Sequence, residues 1–145
     1  MGTRADFYVG KGKEAEWLGS IAWDGDEVGN QILECTSSEA FRHAVQCFLE
    51  SRDDATFPKN GWPWPWDDSK LTDRSYWHFD GRTFEDVGYE NHYYVQRSEA
   101  RPDEDNDETA YQAWLDTHEE IDFPDMSAKK NVTFGERSGL IMVSR

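Results

Sequence analysis

The sequence predicts an α+β fold in which a mostly antiparallel sheet is covered on one face by two helices. Short runs rich in aromatic and β-branched residues recur along the chain between glycine-rich and aspartate-rich breaks, a pattern typical of antiparallel strands. Two segments carry apolar residues at helical spacing. At 145 residues the chain has the usual length of one domain, so a single acidic α+β domain is expected over residues 1–145.

Two strands are predicted near the start, at Asp6–Val9 and Glu16–Trp23, because both runs are rich in aromatic and aliphatic residues. The segment Gly10–Lys13 between them has the composition of a hairpin connection. Later in the chain, RSYWHF and HYYVQR predict two more strands, and a short third run at Thr83–Phe84 between them favours an antiparallel meander. The last segment, NVTFGERSGLIMVS, contains two further strand candidates, of which LIMV is apolar enough to be a central strand.

The clearest helix follows a capping box at Thr36–Glu39. Five apolar residues then recur at helical spacing and should face the sheet: Phe41, Ala44, Val45, Phe48 and Leu49. The opposite side should face water, with Glu39, Arg42, His43, Gln46 and Glu50. A second helix is predicted over Glu108–Glu119, with one apolar stripe formed by Tyr111, Trp114, Leu115 and His118.

Composition also sets expectations for the core and the compartment. The 7 Trp, 6 Tyr and 8 Phe predict an aromatic core. No stretch approaches the roughly 18 consecutive apolar residues that cross a bilayer, and the start lacks a signal-peptide pattern. A cytoplasmic protein is therefore expected, in the host cytoplasm if the chain is phage-encoded. The two cysteines, Cys35 and Cys47, are expected to be reduced and packed rather than joined in a disulfide.

The segment NGWPWPWDDSK places Trp62, Trp64 and Trp66 at alternate positions with prolines between them. Each proline fixes φ at about −65° and disfavours a helical conformation in the residue before it, so the segment should be extended and stiff. One interpretation is a strap that crosses the sheet and buries at least one indole. The other is an exposed aromatic ridge that supplies hot spots to a protein interface.

No motif in the chain indicates catalysis, and the sequence predicts no enzyme, no cofactor and no bound metal. His43 and Cys47 are spaced as half of a metal site on one helix, but no second pair follows at useful spacing. The triplet Asp68, Ser69 and Lys70 resembles the end of a nuclease motif, yet it lies in a proline-rich loop rather than on a strand. A small enzyme with an unrecognised site stays an alternative.

Charge is the feature that bears most directly on function. The chain has 15 basic and 30 acidic residues, for a net charge of −15. Such a protein repels nucleic acid and anionic membranes and attracts basic surfaces. From Glu99 to Asp125 there are 11 acids and the single base Arg101, a local charge of −10. The tract is interpreted either as a solvated face that aids solubility or as a mimic of the charge of nucleic acid.

The favoured hypothesis is a non-enzymatic acidic inhibitor that occupies a basic nucleic-acid-binding surface of a partner protein. The expected partner is a defence nuclease or a CRISPR effector subunit, with no direct binding to nucleic acid or membrane. The candidate partner-binding residues in the tract are Asp103, Glu104, Asp105, Asp107, Glu108, Asp116, Glu119, Glu120 and Asp122. The alternative is an adaptor that binds proteins through Trp62, Trp64 and Trp66.

The stretches MGTRADFYVG, AEWLGSIAWDG and SRDDATFPKNGWPWPWDDS resemble the small, acidic, uncharacterised proteins of phage and proteobacterial genomes. The resemblance covers about half of the chain and implies no particular site residues. As a broader class, small acidic phage proteins are similar to anti-CRISPR and anti-restriction inhibitors, which occupy nucleic-acid-binding surfaces or block subunit assembly. This similarity implies an inhibitor.

Overall fold

The computed structural model describes residues 3–88 and 90–129. Its six strands are β1 Ala5–Val9, β2 Glu16–Ile21, β3 Ala55–Thr56, β4 Arg74–Phe79, β5 Arg82–Gly88 and β6 His92–Val95. They form one sheet in the order β3-β2-β1-β4-β5-β6. All neighbouring strands are antiparallel except β1 and β4, which are parallel. The predicted α+β class with a mostly antiparallel sheet, including the β4-β5-β6 meander, is confirmed.

Among the described residues three α-helices accompany the sheet: α1 Asn30–Leu33, α2 Ser38–Glu50 and α3 Glu108–Leu115. Helix α2 begins one residue later than the predicted capping box, since the N-cap is Ser37 rather than Thr36 and its hydroxyl accepts a 3.1 Å hydrogen bond from the Ala40 amide. It buries Phe41, Val45 and Leu49. The five polar residues predicted to face water are all exposed. The predicted orientation of this helix is therefore confirmed.

The helices cover one face of the sheet. Phe7, Tyr76, Glu85 and Val95 stand side by side in the strand register and so share this face. Residues of α1 and α2 pack on Phe7 and Tyr76 in one core cluster. Leu115 of α3 packs on Val95 at the other end of the sheet. Helix cover on a single face is thus confirmed.

The opposite face is covered by irregular chain in the part of the protein that the structure describes. Residues 60–70 are called the tryptophan loop. Tyr8, Trp77 and Tyr94 of the sheet pack on this face against Trp62 of the tryptophan loop and against Ile121 and Met126 of the segment after α3. The Tyr8 and Trp77 rings stack with centroids 4.1 Å apart. The predicted aromatic core is concentrated on this face.

Helix α3 ends earlier than predicted. It stops at Leu115 rather than Glu119, where the amides of Thr117 and His118 donate to the carbonyls three residues back, of Trp114 and Leu115, instead of four. Beyond this turn the chain runs along the edge of β6, where the Ile121 amide donates to the His92 carbonyl at 2.7 Å. The last acids of the tract therefore lie on an extended segment and not on a helix.

Strand β2 also ends early, at Ile21 instead of Trp23. The amides of Ala22 and Trp23 both donate 3.0 Å hydrogen bonds to the Asp54 carboxylate, which takes them out of the strand ladder. The strand candidates in the last segment lie outside the described residues. No described helix combines the length and the apolar character that a membrane span needs.

Candidate acidic interface

The nine acidic residues predicted to bind a partner are together called the acidic face: Asp103, Glu104, Asp105, Asp107, Glu108, Asp116, Glu119, Glu120 and Asp122. Eight of them are exposed, and Glu104 is half-buried. Two stretches of backbone carry them. The first is α3 with the turn before it, and the second is the segment along β6.

The first stretch is held by its own carboxylates. Asp103 accepts hydrogen bonds from the Asp105 amide at 2.9 Å and from the Asn106 side chain at 2.7 Å. Asp107 caps α3 by accepting a 3.0 Å hydrogen bond from the Ala110 amide. Buried Leu115 then anchors the helix to the sheet. The carboxylates of this stretch are therefore presented from ordered backbone.

The second stretch is held by the sheet edge. The Tyr94 amide donates a 3.0 Å hydrogen bond to the Glu119 carbonyl, and Tyr93 and Glu120 form an antiparallel bridge. Ile121 is buried between two exposed acids. The extended segment thus fixes the backbone positions of Glu119, Glu120 and Asp122, while their side chains are exposed to solvent.

Two lysines of the β1–β2 turn neutralise part of the acidic face. Lys11 lies 2.9 Å from Glu119, and Lys13 lies 3.9 Å from Asp122. The Glu119 carboxylate raises the pKa of Lys11 through their hydrogen bond. Exposed ion pairs of this kind contribute only about 0 to 1 kcal/mol. Four carboxylates form no hydrogen bond or ion pair with any described residue, those of Glu104, Asp105, Glu108 and Glu120.

The tryptophan loop serves the core rather than presenting a free ridge. Trp62 is only 1% exposed, which confirms that at least one indole is buried, and Trp64 and Trp66 are half-buried. Each indole N–H has an internal acceptor: the Trp66 carbonyl for Trp62, Asp6 for Trp64 and Thr72 for Trp66, at 2.7, 2.8 and 2.9 Å.

The extended conformation predicted for this loop is wrong, because the chain bends through residues 64–68. The bend brings the Trp66 carbonyl back to the Trp62 indole and stacks the Trp64 and Trp66 rings with centroids 5.7 Å apart. The prolines stiffen the segment locally, but the hydrogen bonds of the indoles determine the path of the backbone.

A buried carboxylate that the sequence analysis did not single out fastens this loop to the sheet. Asp6 of β1 is fully buried and accepts hydrogen bonds from Ser20 at 2.5 Å, Ser69 at 2.6 Å and the Trp64 indole at 2.8 Å. Burial raises the pKa of Asp6, and the hydrogen bonds from its neighbours act in the opposite direction. Asp6 and its partners therefore form a polar centre inside an aromatic core.

Lowering the pH should stabilise the wild-type protein relative to Asp6→Asn. An aspartate whose pKa is raised by folding binds its proton more tightly in the folded state, so stability rises as the pH falls. The gain should begin as the pH falls through the raised pKa and be complete below the ordinary value of 3.8. Urea unfolding of both proteins between about pH 7 and pH 3 measures the difference, in which the other carboxylates cancel. A constant difference across that range would contradict the assignment.

A second buried polar group pairs Asp86 of β5 with His92 of β6. The His92 imidazole and the Asp86 carboxylate lie 2.7 Å apart, and Ser75 approaches the same carboxylate at 3.3 Å. Burial raises the pKa of Asp86, while the hydrogen bond with His92 acts to lower it. Phe123 packs edge-on against the His92 ring. This position is inside the core and not at the protein surface.

The other chemical candidates take structural positions. The Cys47 sulfur lies 3.6 Å from the His43 imidazole on the water side of α2, and no group of three or more potential metal ligands occurs within residues 3–88 and 90–129. Cys35 and Cys47 are both free thiols, but Cys47 is exposed, so the packing expected for it is wrong. In the nuclease-like triplet, Asp68 caps the Lys70 amide and Ser69 is buried against Asp6.

Comparisons of the chain with protein-family models, with curated proteins and with solved structures found no match. Its function has therefore to be inferred from the position, burial and charge of its own residues.

Proposed function

We propose that the protein is a non-enzymatic inhibitor that occupies a basic nucleic-acid-binding surface of a partner protein by charge mimicry. The observation that carries this proposal is the acidic face, whose exposed carboxylates project from backbone held by α3 and by the edge of β6. Solvation alone does not require acids to be fixed on ordered backbone. A rigid set of charges can instead match a groove of fixed shape.

The charge density of the face supports the comparison with nucleic acid. One strand of duplex DNA carries a phosphate for each ~3.4 Å of helix axis. An extended protein chain rises about 3.3 Å per residue and alternates its side chains between two faces, so Glu120 and Asp122 share a face at about 6.6 Å, within a factor of two of the phosphate spacing. A basic groove that gains free energy from neutralising phosphates gains in the same way from these carboxylates, with the same sensitivity to salt.

The resemblance to small acidic phage proteins gives the proposal its biological setting. In that setting the partner is a defence nuclease or a CRISPR effector subunit, and the inhibitor acts in the host cytoplasm. The adaptor alternative finds less support, because the three indoles of the tryptophan loop pack and hydrogen-bond internally.

Capture from a bacterial lysate on the immobilised protein tests the proposal. At low salt the bait should retain nucleic-acid-binding proteins, because opposite charges attract over a Debye length that shrinks to about 8 Å at physiological ionic strength. Added duplex DNA should elute the same proteins at constant ionic strength, and raised salt should release them. Retention of proteins that neither DNA nor salt releases would count against charge mimicry.

A further inference from the structure

A cleft opens beside α3, where the helix faces the β5–β6 turn. Its volume is about 430 Å³, and its main lining residues are Glu90, Tyr93, Glu104, Glu108, Tyr111 and Leu115. Three carboxylates thus surround a cleft whose other walls are two tyrosine rings, a leucine and the residues Asn91 and Gln112. This arrangement combines negative charge with apolar and aromatic surface.

The carboxylates of the cleft form no ion pair with the one cation of the described residues that acts on Tyr111, the Arg101 guanidinium. None of Glu90, Glu104 and Glu108 forms a hydrogen bond or ion pair with another described residue. Burial raises the pKa of Tyr111, the negative charge of Glu104 raises it further, and the positive charge of Arg101 acts in the opposite direction. The cleft therefore has a negative potential that a cationic group would relieve.

Tyr93 supplies a hydroxyl at the surface of the cleft. It is 9% exposed, lines the cleft and packs on Leu115 and Val95. Its hydroxyl forms no hydrogen bond with any described residue, although the hydroxyls of Tyr8, Tyr76 and Tyr94 all have protein partners. The Tyr93 ring is buried, but its hydroxyl oxygen is open to the cleft. A donor placed in the cleft would satisfy this oxygen.

The same aromatic stripe already holds an arginine of this chain. The Arg101 guanidinium lies 5.4 Å from the centroid of the Trp114 ring, and the Trp114 and Tyr111 rings are 5.6 Å apart. Arg4 lies over Trp66 in a similar way, at 5.0 Å. Guanidinium groups on aromatic rings are therefore a contact that this protein makes repeatedly.

From these contacts we infer that the cleft receives an arginine side chain from the basic surface of the partner. The inference rests on the proposed function. It adds one specific side-chain contact to an interaction that otherwise depends on the summed charge of the acidic face. Arginine fits better than lysine because its planar guanidinium stacks on tyrosine and offers five N–H donors in a fixed fork. Two carboxylates and the Tyr93 hydroxyl can accept from that fork at once.

The test uses the peptide acetyl-Gly-Ser-Arg-Ser-Gly-amide as a probe, followed by chemical shifts in ¹H–¹⁵N spectra of the protein. We expect saturable shifts confined to Tyr93, Glu104, Glu108, Tyr111 and their neighbours. The same peptide with citrulline, which has nearly the same shape without the charge, should cause none. The lysine peptide should bind more weakly.

Two variants separate the cleft from general acidity. Glu104→Gln with Glu108→Gln should weaken binding of the arginine peptide by about tenfold or more, since hydrogen bonds to charged groups contribute roughly 1.5 to 3 kcal/mol. Asp26→Asn with Glu27→Gln removes the same charge from two exposed acids outside the cleft and the acidic face, and should leave the dissociation constant nearly unchanged. Tyr93→Phe keeps the ring and should weaken binding through the lost acceptor alone. Thermal unfolding checks that each variant is folded.

Three results would overturn the inference. The first is no saturable shift up to about 10 mM arginine peptide, which corresponds to less than roughly 3 kcal/mol of binding. The others are equal weakening by the two double variants and equal binding of the citrulline or lysine peptide. Any of these would reject the cleft as an arginine site but would leave collective binding by the acidic face untouched. If instead the peptide binds as expected while the protein fails to displace nucleic acid from a partner, the proposed function fails and the arginine site stands.

Discussion

Trp62→Ala is expected to lower the free energy of unfolding by about 3 to 5 kcal/mol, as truncation of a large buried aromatic side chain does. The Trp62 ring is 1% exposed and meets the Trp17 ring edge-on with centroids 5.2 Å apart. Its loss would leave a cavity and remove the indole donor to the Trp66 carbonyl. Urea unfolding monitored by circular dichroism measures the change.

Trp23→Ala is the matched control, because the same atoms are removed from a side chain that is 50% exposed. Substitutions at surface positions usually change stability by within about 0.5 kcal/mol, so the control should unfold close to the wild-type midpoint. Equal effects of the two substitutions would show that the tryptophan loop does not seal the aromatic core. The exposed-ridge interpretation would then regain support.

Reversal of Asp116, Glu119, Glu120 and Asp122 to lysine is expected to abolish binding to the partner. Each exposed charge contributes only about 0 to 1 kcal/mol, so single substitutions should have little effect and the loss must be collective. The reversal breaks the ion pairs of Glu119 with Lys11 and of Asp122 with Lys13, but both are exposed and their loss should leave the protein folded. Isothermal titration of the captured partner measures the affinity.

A second quadruple variant controls for net charge. Asp26, Glu27, Glu50 and Asp53 are exposed acids outside the acidic face, and their reversal to lysine changes the net charge by the same amount. This variant should keep most of the affinity. If both variants bind equally well, the acidic face only solvates the protein. If both lose binding, overall charge matters and the position of the acids does not.

Local signals in the sequence were sufficient for α2 and for the meander. The helix combines an N-cap serine with a complete apolar stripe, and the strands β4 and β6 are aromatic-rich runs close in sequence. In such elements the pattern of a short segment is consistent with the packing that the whole fold requires. Their boundaries shifted by only a few residues.

The end of α3 and the pairing of β1 with β4 depend on contacts that no local pattern contains. The chain leaves α3 through backbone bonds from Thr117 and His118 to carbonyls three residues back, where neither glycine nor proline marks a stop. Strands β1 and β4 are parallel and lie far apart in sequence, so their register follows from the core on both faces of the sheet. Sequence periodicity cannot assign such partners.

The buried polar centre at Asp6 shows why part of the candidate site was missed. In ADFYV the aspartate alternates with apolar residues, and alternation of this kind usually indicates a strand with one face in water. Here the second face is covered by the tryptophan loop, which supplies Trp64 and Ser69 as hydrogen-bond donors. The cleft beside α3 was missed for a similar reason, because Glu90 and Tyr93 meet Glu104 and Glu108 only after folding.

Displacement of nucleic acid from the captured partner is the most direct test of charge mimicry. The partner is loaded with a fluorescently labelled DNA duplex, and the anisotropy of the label is followed as the inhibitor is added. The wild-type protein should return the anisotropy to that of free DNA, less effectively as salt rises, and the acidic-face reversal should leave it unchanged. A wild-type protein that binds the partner while the anisotropy stays at the value of the bound DNA would contradict the proposed function.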